Sequence, residues 1–420
     1  MILPPTSLAA VAAVALAACG GETVEPIPIP FGLLASRTGD LAAYGADIHR
    51  GALLAIAEIN DAGGIRGRLL SLVMEDDGTT AVGARTAYSA LLTERVVAVV
   101  GPGFSGGAFA IANALRSGHT LTISGSTTAP DLGQLDDDGY FFRTVPSDVV
   151  QGQVLADLIK EKGVQNLCIV HRDDPYGNGL AAALSDRLTD GTRTIVPTGY
   201  PITSTPSDAV LEACQPLVSA PQRGIVFVTF EGDGSVLMSR AITRGWRVSA
   251  DSSVFLVDGN KASRLYMALP DQAAFEGALG TAPTGPEPES PAGQRLAAFR
   301  GRFETKYQRP AGVHTETNYD AVYLAAIALA AAGEDATQEE VRDAMAKTRS
   351  GRILEAGDWS KISTEIAIEG TVDYLGASGD VDLDPTSGEL TPPYYIGVWQ
   401  LGRMGAITEL NTVVVGGATQ

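Results

Sequence analysis

Residues 96–132 read VVAVVGPGFSGGAFAIANALRSGHTLTISGSTTAPDL, and this stretch decides the fold class. The unbroken apolar run Val96–Val100 predicts a strand that is buried on both faces. A Gly/Pro-rich turn, a helix over Gly107–Arg116 and a second short strand over Leu121–Ile123 follow it. Strand, helix and strand in this order are typical of a parallel α/β sheet. Ligands of such sheets bind beyond the carboxyl ends of the strands, where the two loops of this stretch lie.

The first loop matches the spacing of two catalytic or cofactor motifs. Gly101, Gly103 and Gly106 have the spacing of the dinucleotide-binding fingerprint. Gly103, Ser105 and Gly107 have the spacing of the hydrolase nucleophile elbow. The fingerprint requires an acidic residue at the end of the next strand, which here ends in Ser-Gly-Ser. The elbow requires its serine at the turn itself, whereas Gly-Pro-Gly-Phe separates Ser105 from the strand.

A feature common to both motifs explains this loop better than either motif alone. Backbone N–H groups at the start of a helix, with the hydroxyl of Ser105 beside them, form a binding site for an anion. A carboxylate fits such a site without any bond being made or broken. The loop therefore predicts ligand binding rather than catalysis or cofactor binding.

The composition excludes several classes of function. The 420 residues carry a formal net charge of −19 and no basic stripe, which argues against a nucleic-acid partner. With 45% hydrophobic and 19% charged residues, the chain has the composition of a folded protein and is long enough for two domains. The four histidines, His49, His119, His171 and His314, lack the spacing of metal ligands, so we expect no metal site.

The N-terminus has the features of an export signal. Residues 1–19 contain the apolar, alanine-rich run Thr6–Ala18, which has the length of a signal peptide and is too short to span a membrane. The sequence LAACG around Cys19 resembles a bacterial lipobox, which implies cleavage before Cys19 and lipid attachment to its sulfur. Residues 20–26 would then form a tether. We expect an extracytoplasmic protein held at a membrane only by lipid.

The rest of the chain repeats the same alternation of strands and helices. The segment before residue 146 contains a strand over 29–34, a helix over 44–60, a strand over 69–74 and a helix over 81–93. After residue 146 the pattern starts again, and it continues to a strand over 254–257. A Pro/Gly-rich segment, 281–293, then precedes three further helices and an apolar run over 395–401. Two similar lobes are the simplest interpretation.

An ordered set of short motifs resembles one protein family, the type 1 periplasmic solute-binding proteins of the leucine/isoleucine/valine-binding group. The matching motifs are Tyr44-Gly45, the run INDAGGIRG at 59–67, Asp76-Asp77, Val100-Gly101-Pro102, TTAP at 127–130, Phe142-Arg143-Thr144, DPYG at 174–177 and Tyr319-Asp320-Ala321. They cover residues 28 to 400 in the family's order. No single motif is specific, but the ordered set is.

The resemblance implies a fold and its boundaries. Members of the family have two Rossmann-like lobes with parallel central sheets, joined by three hinge crossovers, and the lobes close on a ligand. Transferred to this chain, lobe 1 takes residues 27–146 and 283–395. Lobe 2 takes residues 147–282 and 396–420.

The resemblance also implies which residues bind the carboxylate of an amino acid. Ser105 and the amides of Gly106 and Gly107 match the family's first carboxylate-binding loop. Ser126 and Thr128 match the second loop, which shares the carboxylate and the ammonium group. An alternative for Ser126 and Thr128 is that they cap the helix that starts before Pro130.

Another set of positions matches the family's cleft walls and ammonium site. Tyr44 and Tyr176 match aromatic residues that line the cleft, and Phe230 and Glu231 fall where lobe 2 offers side chains across it. Asp258 falls where an acid binds the ammonium group, although it could instead cap a turn with Gly259. Helix-end amides for the anion and a carboxylate for the cation suit a zwitterion. The resemblance implies no catalytic residue, cofactor or metal.

The fold that the resemblance implies also permits a disulfide. If lobe 2 has the strand order 2-1-3, the helix between its second and third strands must cross its first strand. Cys168 lies on the predicted first strand and Cys214 on that helix. We therefore expect a Cys168–Cys214 bond, which an oxidising compartment allows.

These observations lead to one main hypothesis and two alternatives. The main hypothesis is a monomeric, lipid-anchored receptor, not an enzyme, that hands an amino acid or small amide to the permease of an ABC importer. The first alternative is a ligand sensor of the same fold without a transport role. The second is a serine hydrolase with Ser105 as nucleophile, for which Asp258 and His314 follow in the chain order of such enzymes.

Overall fold

The computed structural model of the chain describes residues 26–202 and 206–416. The predicted signal peptide at 1–19, the lipid-attachment residue Cys19 and all but the last residue of the tether at 20–26 lie outside the described residues. No helix in the described ranges combines the length and the apolar character needed to cross a membrane.

The strands and helices alternate along most of the chain. The strands are β1 Ile29–Ala35, β2 Leu70–Asp76, β3 Ala98–Val100, β4 Leu121–Ser124, β5 Phe141–Arg143, β6 Asn166–Arg172, β7 Thr194–Tyr200, β8 Arg223–Val228, β9 Ser252–Leu256, β10 Leu279–Pro283, β11 Ile353–Glu355, β12 Asp373–Leu375, β13 Tyr394–Leu401 and β14 Ile407–Val415. The α-helices are α1 Ala42–Asp61, α2 Ala81–Thr93, α3 Ser105–Gly118, α4 Asp148–Glu161, α5 Pro175–Leu188, α6 Ala209–Glu212, α7 Glu231–Thr243, α8 Ser263–Met267, α9 Pro291–Tyr307, α10 Thr315–Ala332, α11 Gln338–Asp343 and α12 Trp359–Glu369.

Two open sheets divide the molecule into two α/β lobes. The sheet of lobe 1 has the order β2-β1-β3-β4-β5, with all neighbouring strands parallel. The sheet of lobe 2 has the order β14-β13-β10-β9-β8-β6-β7, parallel from β7 to β10 and antiparallel at β13 and β14. The predicted architecture of two α/β lobes with mainly parallel central sheets is confirmed.

The chain passes between the two sheets three times. The crossings follow β5, follow β10 and precede β13, so that both lobes are built from separate parts of the sequence. Because strand order reverses beside β1 in the first sheet and beside β6 in the second, the loops that follow these strands open towards the space between the lobes.

Helix α10 forms the centre of the lobe 1 core. From Ala321 onwards it is apolar around its whole circumference, and its residues from Thr315 to Ala330 are buried, as expected for a helix covered on all sides. Asp320 is the charged group of this helix that lies deepest, and its carboxylate accepts hydrogen bonds from the Tyr374 hydroxyl and from the backbone and side chain of Ser378. Burial nevertheless raises the pKa of Asp320 to about 6.

Helix α3 starts earlier than the sequence predicts. Its first residue is Ser105 rather than Gly107, and it continues to Gly118. The two glycines after Ser105 fit within the first turn because the Phe104 ring packs over them. A Cβ added at Gly107 would lie 2.9 Å from that ring, which leaves no room for a side chain there.

The structure confirms the predicted Cys168–Cys214 disulfide and corrects the element that carries Cys214. The strand order β7-β6-β8 is the order 2-1-3 on which the prediction rested, and the two sulfurs are bonded. The helix predicted to carry Cys214 is instead the short helix α6, which ends before Cys214 and is followed by a 3₁₀ turn over Gln215–Ser219. Pro216 explains the break because it cannot donate a helical hydrogen bond.

We expect the double variant Cys168→Ala/Cys214→Ala to lose about 2–4 kcal/mol of unfolding free energy, because the bond closes a long loop in the unfolded chain. Urea denaturation of the two proteins measures this difference. A reducing agent should lower the midpoint of the parent and leave that of the double variant unchanged. Equal midpoints for parent and variant without reductant would contradict the prediction.

Candidate functional site

A cavity between the lobes collects most of the residues predicted for a site. Its empty volume is about 350 Å³, including the part that opens to solvent. The lining comes from the loops after β1, β3, β4, β8 and β9, from the N-terminal parts of α1, α3 and α5, and from the residue before α10: Leu41, Tyr44, Ile48, Gly103, Phe104, Ser105, Ser126, Thr128, Tyr176, Phe230, Asp258, Gly259 and His314.

The predicted residues separate into those that line the cavity and those that do not. The structure brings together Tyr44, Ser105, Ser126, Thr128, Tyr176, Phe230 and Asp258. Gly106 and Gly107 lie next to the cavity but face the Phe104 ring, and the Gly107 amide already donates to the Phe104 carbonyl at 3.0 Å. The side chain of Glu231 pairs with Arg264 and lines a separate cavity at the outer edge of the cleft.

The lobe 1 side of the cavity is suited to an anion. The N-terminus of α3 opens there, where the helix dipole is positive. The Ser124 hydroxyl accepts hydrogen bonds from the amides of Ser126 and Thr127 and donates to the Pro102 carbonyl at 2.8 Å, which fixes the two loops against each other. The Ser126 hydroxyl is buried and lacks a hydrogen-bond partner within the described residues, so it is available to a ligand.

The lobe 2 side of the cavity holds a buried carboxylate, that of Asp258. One oxygen accepts hydrogen bonds from the Tyr176 hydroxyl at 2.7 Å and from the Gln151 amide at 3.1 Å. The other oxygen lies 3.4 Å from Nε2 of His314. Burial opposes ionisation, but the hydrogen bonds and charge of His314, together with Tyr176 and Gln151, outweigh it and hold the pKa of Asp258 below its usual value.

A second buried carboxyl group, Asp148, lies behind Asp258. Neither of its oxygens has a hydrogen-bond partner among the described residues. Burial, and then the nearby charge of Asp258, raise the pKa of Asp148 well above its usual value. The pair therefore carries its negative charge on Asp258, the member that lines the cavity.

Contacts across the cleft hold the lobes together around the cavity. The Tyr44 hydroxyl of lobe 1 donates to the Asp258 carbonyl of lobe 2 at 2.8 Å. At the rim, Arg172 of lobe 2 reaches Asp40 of lobe 1 at 3.1 Å. These interactions, with the His314–Asp258 contact, place the structure in a closed arrangement.

Arg172 also positions an aromatic wall of the cavity. Within lobe 2 its guanidinium pairs with the buried carboxylates of Asp174 and Asp233, and it lies 4.1 Å from the centre of the Phe230 ring. The Tyr176 ring also stacks on the Phe230 ring, at a centroid distance of 5.2 Å. Phe230 is thus held between a cation and an aromatic ring, with its orientation fixed.

Several lining residues were not predicted from the sequence. Leu41, Ile48 and Phe104 make the cavity apolar, and Phe104 could have been found because it lies inside the glycine-rich loop. His314 was considered only as a member of a hydrolase triad. It lies in a turn with a left-handed φ of 62°, where neither helix nor strand periodicity gives a signal.

The hydrolase residues meet in this cavity but do not form a triad. Asp258 and His314 are in contact, and Ser105 lines the same cavity. The Ser105 hydroxyl, however, accepts a hydrogen bond from the Ala129 amide at 3.2 Å, and in the residues that the structure describes it is not hydrogen-bonded to His314. A nucleophile needs its base within hydrogen-bond reach, so the geometry favours binding over catalysis.

Comparison with known proteins gives a consistent result. The family model described as periplasmic binding protein matches residues 28–402. A chemotactic signal transduction system substrate-binding protein, BasB of Halobacterium salinarum, is 28% identical over 379 residues, covering 87% of this chain and 86% of the relative. The leucine-, isoleucine-, valine-, threonine- and alanine-binding protein of Pseudomonas aeruginosa is 28% identical over 341 residues, covering 80% and 86%.

Solved structures show the same fold. LivJ of Streptococcus pneumoniae in complex with isoleucine has a TM-score of 0.73 at 22% identity, covering 92% of this chain and 99% of LivJ. The leucine-binding protein LivK of Thermotoga maritima has a TM-score of 0.73 at 18% identity, covering 92% and 98%. A benzoate-bound solute-binding protein of R. palustris has a TM-score of 0.71 at 18% identity, covering 93% and 98%.

We expect Asp40→Asn to shift the lobes towards an open arrangement, because it removes the carboxylate that Arg172 meets across the rim. Asp40 is partly exposed, so the loss should be about 0.5–1 kcal/mol, or roughly a two- to fivefold change in the closed-to-open ratio. Distances between spin labels on α2 and α7 measure that ratio.

The matched control is Asp173→Asn, which removes the same charge from an exposed position. Within the described residues, the Asp173 carboxylate accepts a hydrogen bond from Asn178 of the same lobe at 3.0 Å and makes no contact across the cleft. Its distance distribution should equal that of the parent. An Asp40→Asn distribution that also equals that of the parent would show that the rim contact does not hold the lobes closed.

Proposed function

Since the chain belongs to the type 1 periplasmic binding proteins of the branched-chain amino acid family, we propose that it binds an amino acid in the cavity between its lobes. The expected ligand is a branched-chain or similarly small amino acid or amide. In this proposal the protein works outside the cytoplasm and delivers its ligand to the permease subunits of an ABC importer.

The observation that carries the proposal is that the two lobes line one cavity with groups of opposite polarity. On the lobe 1 side, the start of α3 and the hydroxyls of Ser105 and Ser126 offer hydrogen-bond donors to a carboxylate. On the lobe 2 side, the ionised Asp258 offers acceptor oxygens to an ammonium group. An α-amino acid carries both groups on one carbon. Leu41, Ile48 and Phe104 would surround its side chain.

The membrane association of the protein is part of the same proposal. The sequence around Cys19 would attach a lipid to a protein whose lobes stay in the aqueous compartment. A receptor held at the membrane surface in this way can reach a permease as a monomer.

A ligand sensor is the second candidate, and the BasB relative favours it because its name assigns it to chemotactic signal transduction. The cavity and its ligand would be the same in a sensor and in a transport receptor. The two differ in the partner protein, so a permease gene next to the gene of this protein would favour transport.

We expect leucine, isoleucine or valine to raise the melting temperature of a protein that starts after Cys19. A ligand that binds only the folded state at a hundred times its Kd adds about 2.7 kcal/mol of stability. The shift should disappear in Ser105→Ala, which removes the hydroxyl offered to the ligand carboxylate. It should also disappear in Asp258→Asn, which removes the negative charge offered to the ammonium group. Differential scanning fluorimetry over the twenty amino acids measures it.

The matched control is Glu231→Gln, which removes a carboxylate that lies near the cleft but outside the cavity. This variant should keep the full ligand-induced shift. An equal loss of the shift in Glu231→Gln, or no shift with any amino acid in the parent, would contradict the proposed function.

The hydrolase alternative has its own test. A serine-reactive phosphonate should leave Ser105 unmodified, because among the residues that the structure describes this hydroxyl is hydrogen-bonded to the Ala129 amide and not to a base. Mass spectrometry of the treated protein shows the result. Phosphonylation of Ser105 in the parent and its absence in His314→Ala would support the serine hydrolase hypothesis.

A further inference from the structure

A second cavity lies at the hinge, where the chain crosses between the lobes. Its empty volume is about 390 Å³, including the part that opens to solvent. Each of the three crossings contributes to the wall of this hinge cavity: Thr144 and Pro146, Pro283 and Thr284, and Pro393 and Tyr394. His314 lines both the hinge cavity and the cavity between the lobes, so its ring separates the two.

The hinge cavity contains a buried carboxylate that lacks a counter-charge. Glu316, in the first turn of α10, lines the cavity and is 5% exposed. Among the residues that the structure describes, its carboxylate is hydrogen-bonded to no donor and paired with no cation. The position of Glu316 at the positive end of the helix dipole favours the ionised form. Because an ionised group that is removed from water needs a partner, a cation from outside the chain would stabilise it.

The other acidic side chain of the hinge cavity, Asp380, already has a partner. Its carboxylate lies 3.0 Å from the guanidinium of Arg295, and about half of the side chain is exposed. Lysine and arginine are absent from the described residues that line the cavity. Glu316 therefore carries the negative charge that is available to a ligand.

The hydroxyl groups of the hinge cavity are arranged as hydrogen-bond acceptors. The Thr144 hydroxyl donates to the Thr317 carbonyl at 2.8 Å, and the Thr317 hydroxyl donates to the Gly125 carbonyl at 2.6 Å. The Ser378 hydroxyl donates to Asp320 at 2.6 Å, and the Tyr394 hydroxyl donates to a backbone carbonyl at 3.0 Å. Since each of these four groups uses its proton within the protein, each offers only lone pairs to a ligand. An ammonium group, which has donors and no acceptor, is complementary to them.

The remaining wall favours an organic cation over a metal ion. In the described ranges, His, Cys, Asp and Glu side chains do not form a group of three that could hold a metal. Proline rings from all three crossings, together with Val381 and Leu390, make much of the wall apolar. The rings of Tyr394 and Tyr395 also line the cavity, and aromatic rings attract organic cations. Alkyl groups fit such a wall, whereas a hydrated metal ion does not.

We propose that the hinge cavity binds a small organic ammonium ion, with the ammonium group at the Glu316 carboxylate and the alkyl part against the prolines of the crossings. The contact is an ion pair supported by hydrogen bonds to hydroxyl oxygens, and no covalent bond changes. This site goes beyond the proposed function, since it is separate from the cavity that would hold the amino acid. An ion bound there contacts all three segments that connect the lobes.

The experiment measures the binding of propylammonium by isothermal titration calorimetry, with the protein that starts after Cys19. Phosphate is the buffer, because an amine buffer such as Tris would compete for the site. Propan-1-ol and propanoate, which have nearly the same size, test the role of the charge. Propylammonium should bind. The neutral alcohol cannot pair with Glu316, and the anion is repelled by it, so neither should bind.

Three variants locate the bound ion. Glu316→Gln keeps the size of the side chain and should weaken propylammonium binding by about tenfold or more, because the ion pair is lost. The matched control Glu289→Gln removes the same charge from an exposed position and should keep the affinity of the parent. Asp258→Asn should lose leucine binding and keep propylammonium binding, because Asp258 lines the other cavity.

The stability of Glu316→Gln gives an independent readout. Because the Glu316 carboxylate has no partner among the described residues, this variant without ligand should melt at the same temperature as the parent or at a higher one. A lower melting temperature would show that the carboxylate already has a partner in the folded chain, which would overturn the inference.

The binding outcomes distinguish this inference from the proposed function. Absence of propylammonium binding in the parent, or equal affinities of the parent and Glu316→Gln, would overturn the inference and leave the proposed function intact. Binding that is lost in Asp258→Asn but kept in Glu316→Gln would place the ion between the lobes and overturn the hinge site. Propylammonium binding that depends on Glu316, without leucine binding, would support the hinge site and contradict only the amino-acid proposal.

Discussion

The burial of one ionised carboxylate, that of Asp258, constrains the arrangement of both lobes. A charge removed from water must be hydrogen-bonded, because an unpaired one costs several kcal/mol. Asp258 obtains two donors from its own lobe, Tyr176 and Gln151, and one from the other lobe, His314. The Asp258 carboxylate has all three of these partners only when the two lobes are in contact. The group that lines the lobe 2 side of the cavity therefore also favours the closed arrangement.

The surrounding packing turns this local requirement into a defined shape. Tyr44 reaches across the cleft to the Asp258 backbone, and Phe230 is fixed between Arg172 and Tyr176. On the lobe 1 side, the Phe104 ring covers the first turn of α3 and keeps its glycines free of side chains. The cavity therefore has rigid aromatic walls and a polar group contributed by each lobe, a combination suited to selecting among small ligands.

The sequence was sufficient for the architecture and for much of the candidate site, for physical reasons that can be named. Apolar runs such as Val96–Val100 predict buried parallel strands, and parallel topology then places the loops after them side by side, which is why Ser105 and Ser126 meet. The orientation of Glu231 could not be predicted, because it depends on pairing with Arg264, which lies on another helix, α8. The contact of His314 with Asp258 could not be predicted either. His314 itself has a left-handed backbone conformation immediately before α10, and no periodic pattern in the sequence marks such a position.

The stability that the Cys168–Cys214 bond gives to lobe 2 depends on the cellular compartment in which the chain folds. The bond joins β6 to the segment before the 3₁₀ turn, both of which belong to the interior of that lobe. Reducing conditions in the cytosol keep such cysteines as free thiols, whereas oxidising extracytoplasmic compartments allow them to form a disulfide. A newly made chain still inside the cell would lack this covalent link and would be easier to unfold. The same chain would become more resistant to unfolding once outside, where it has to persist without the help of cytosolic chaperones.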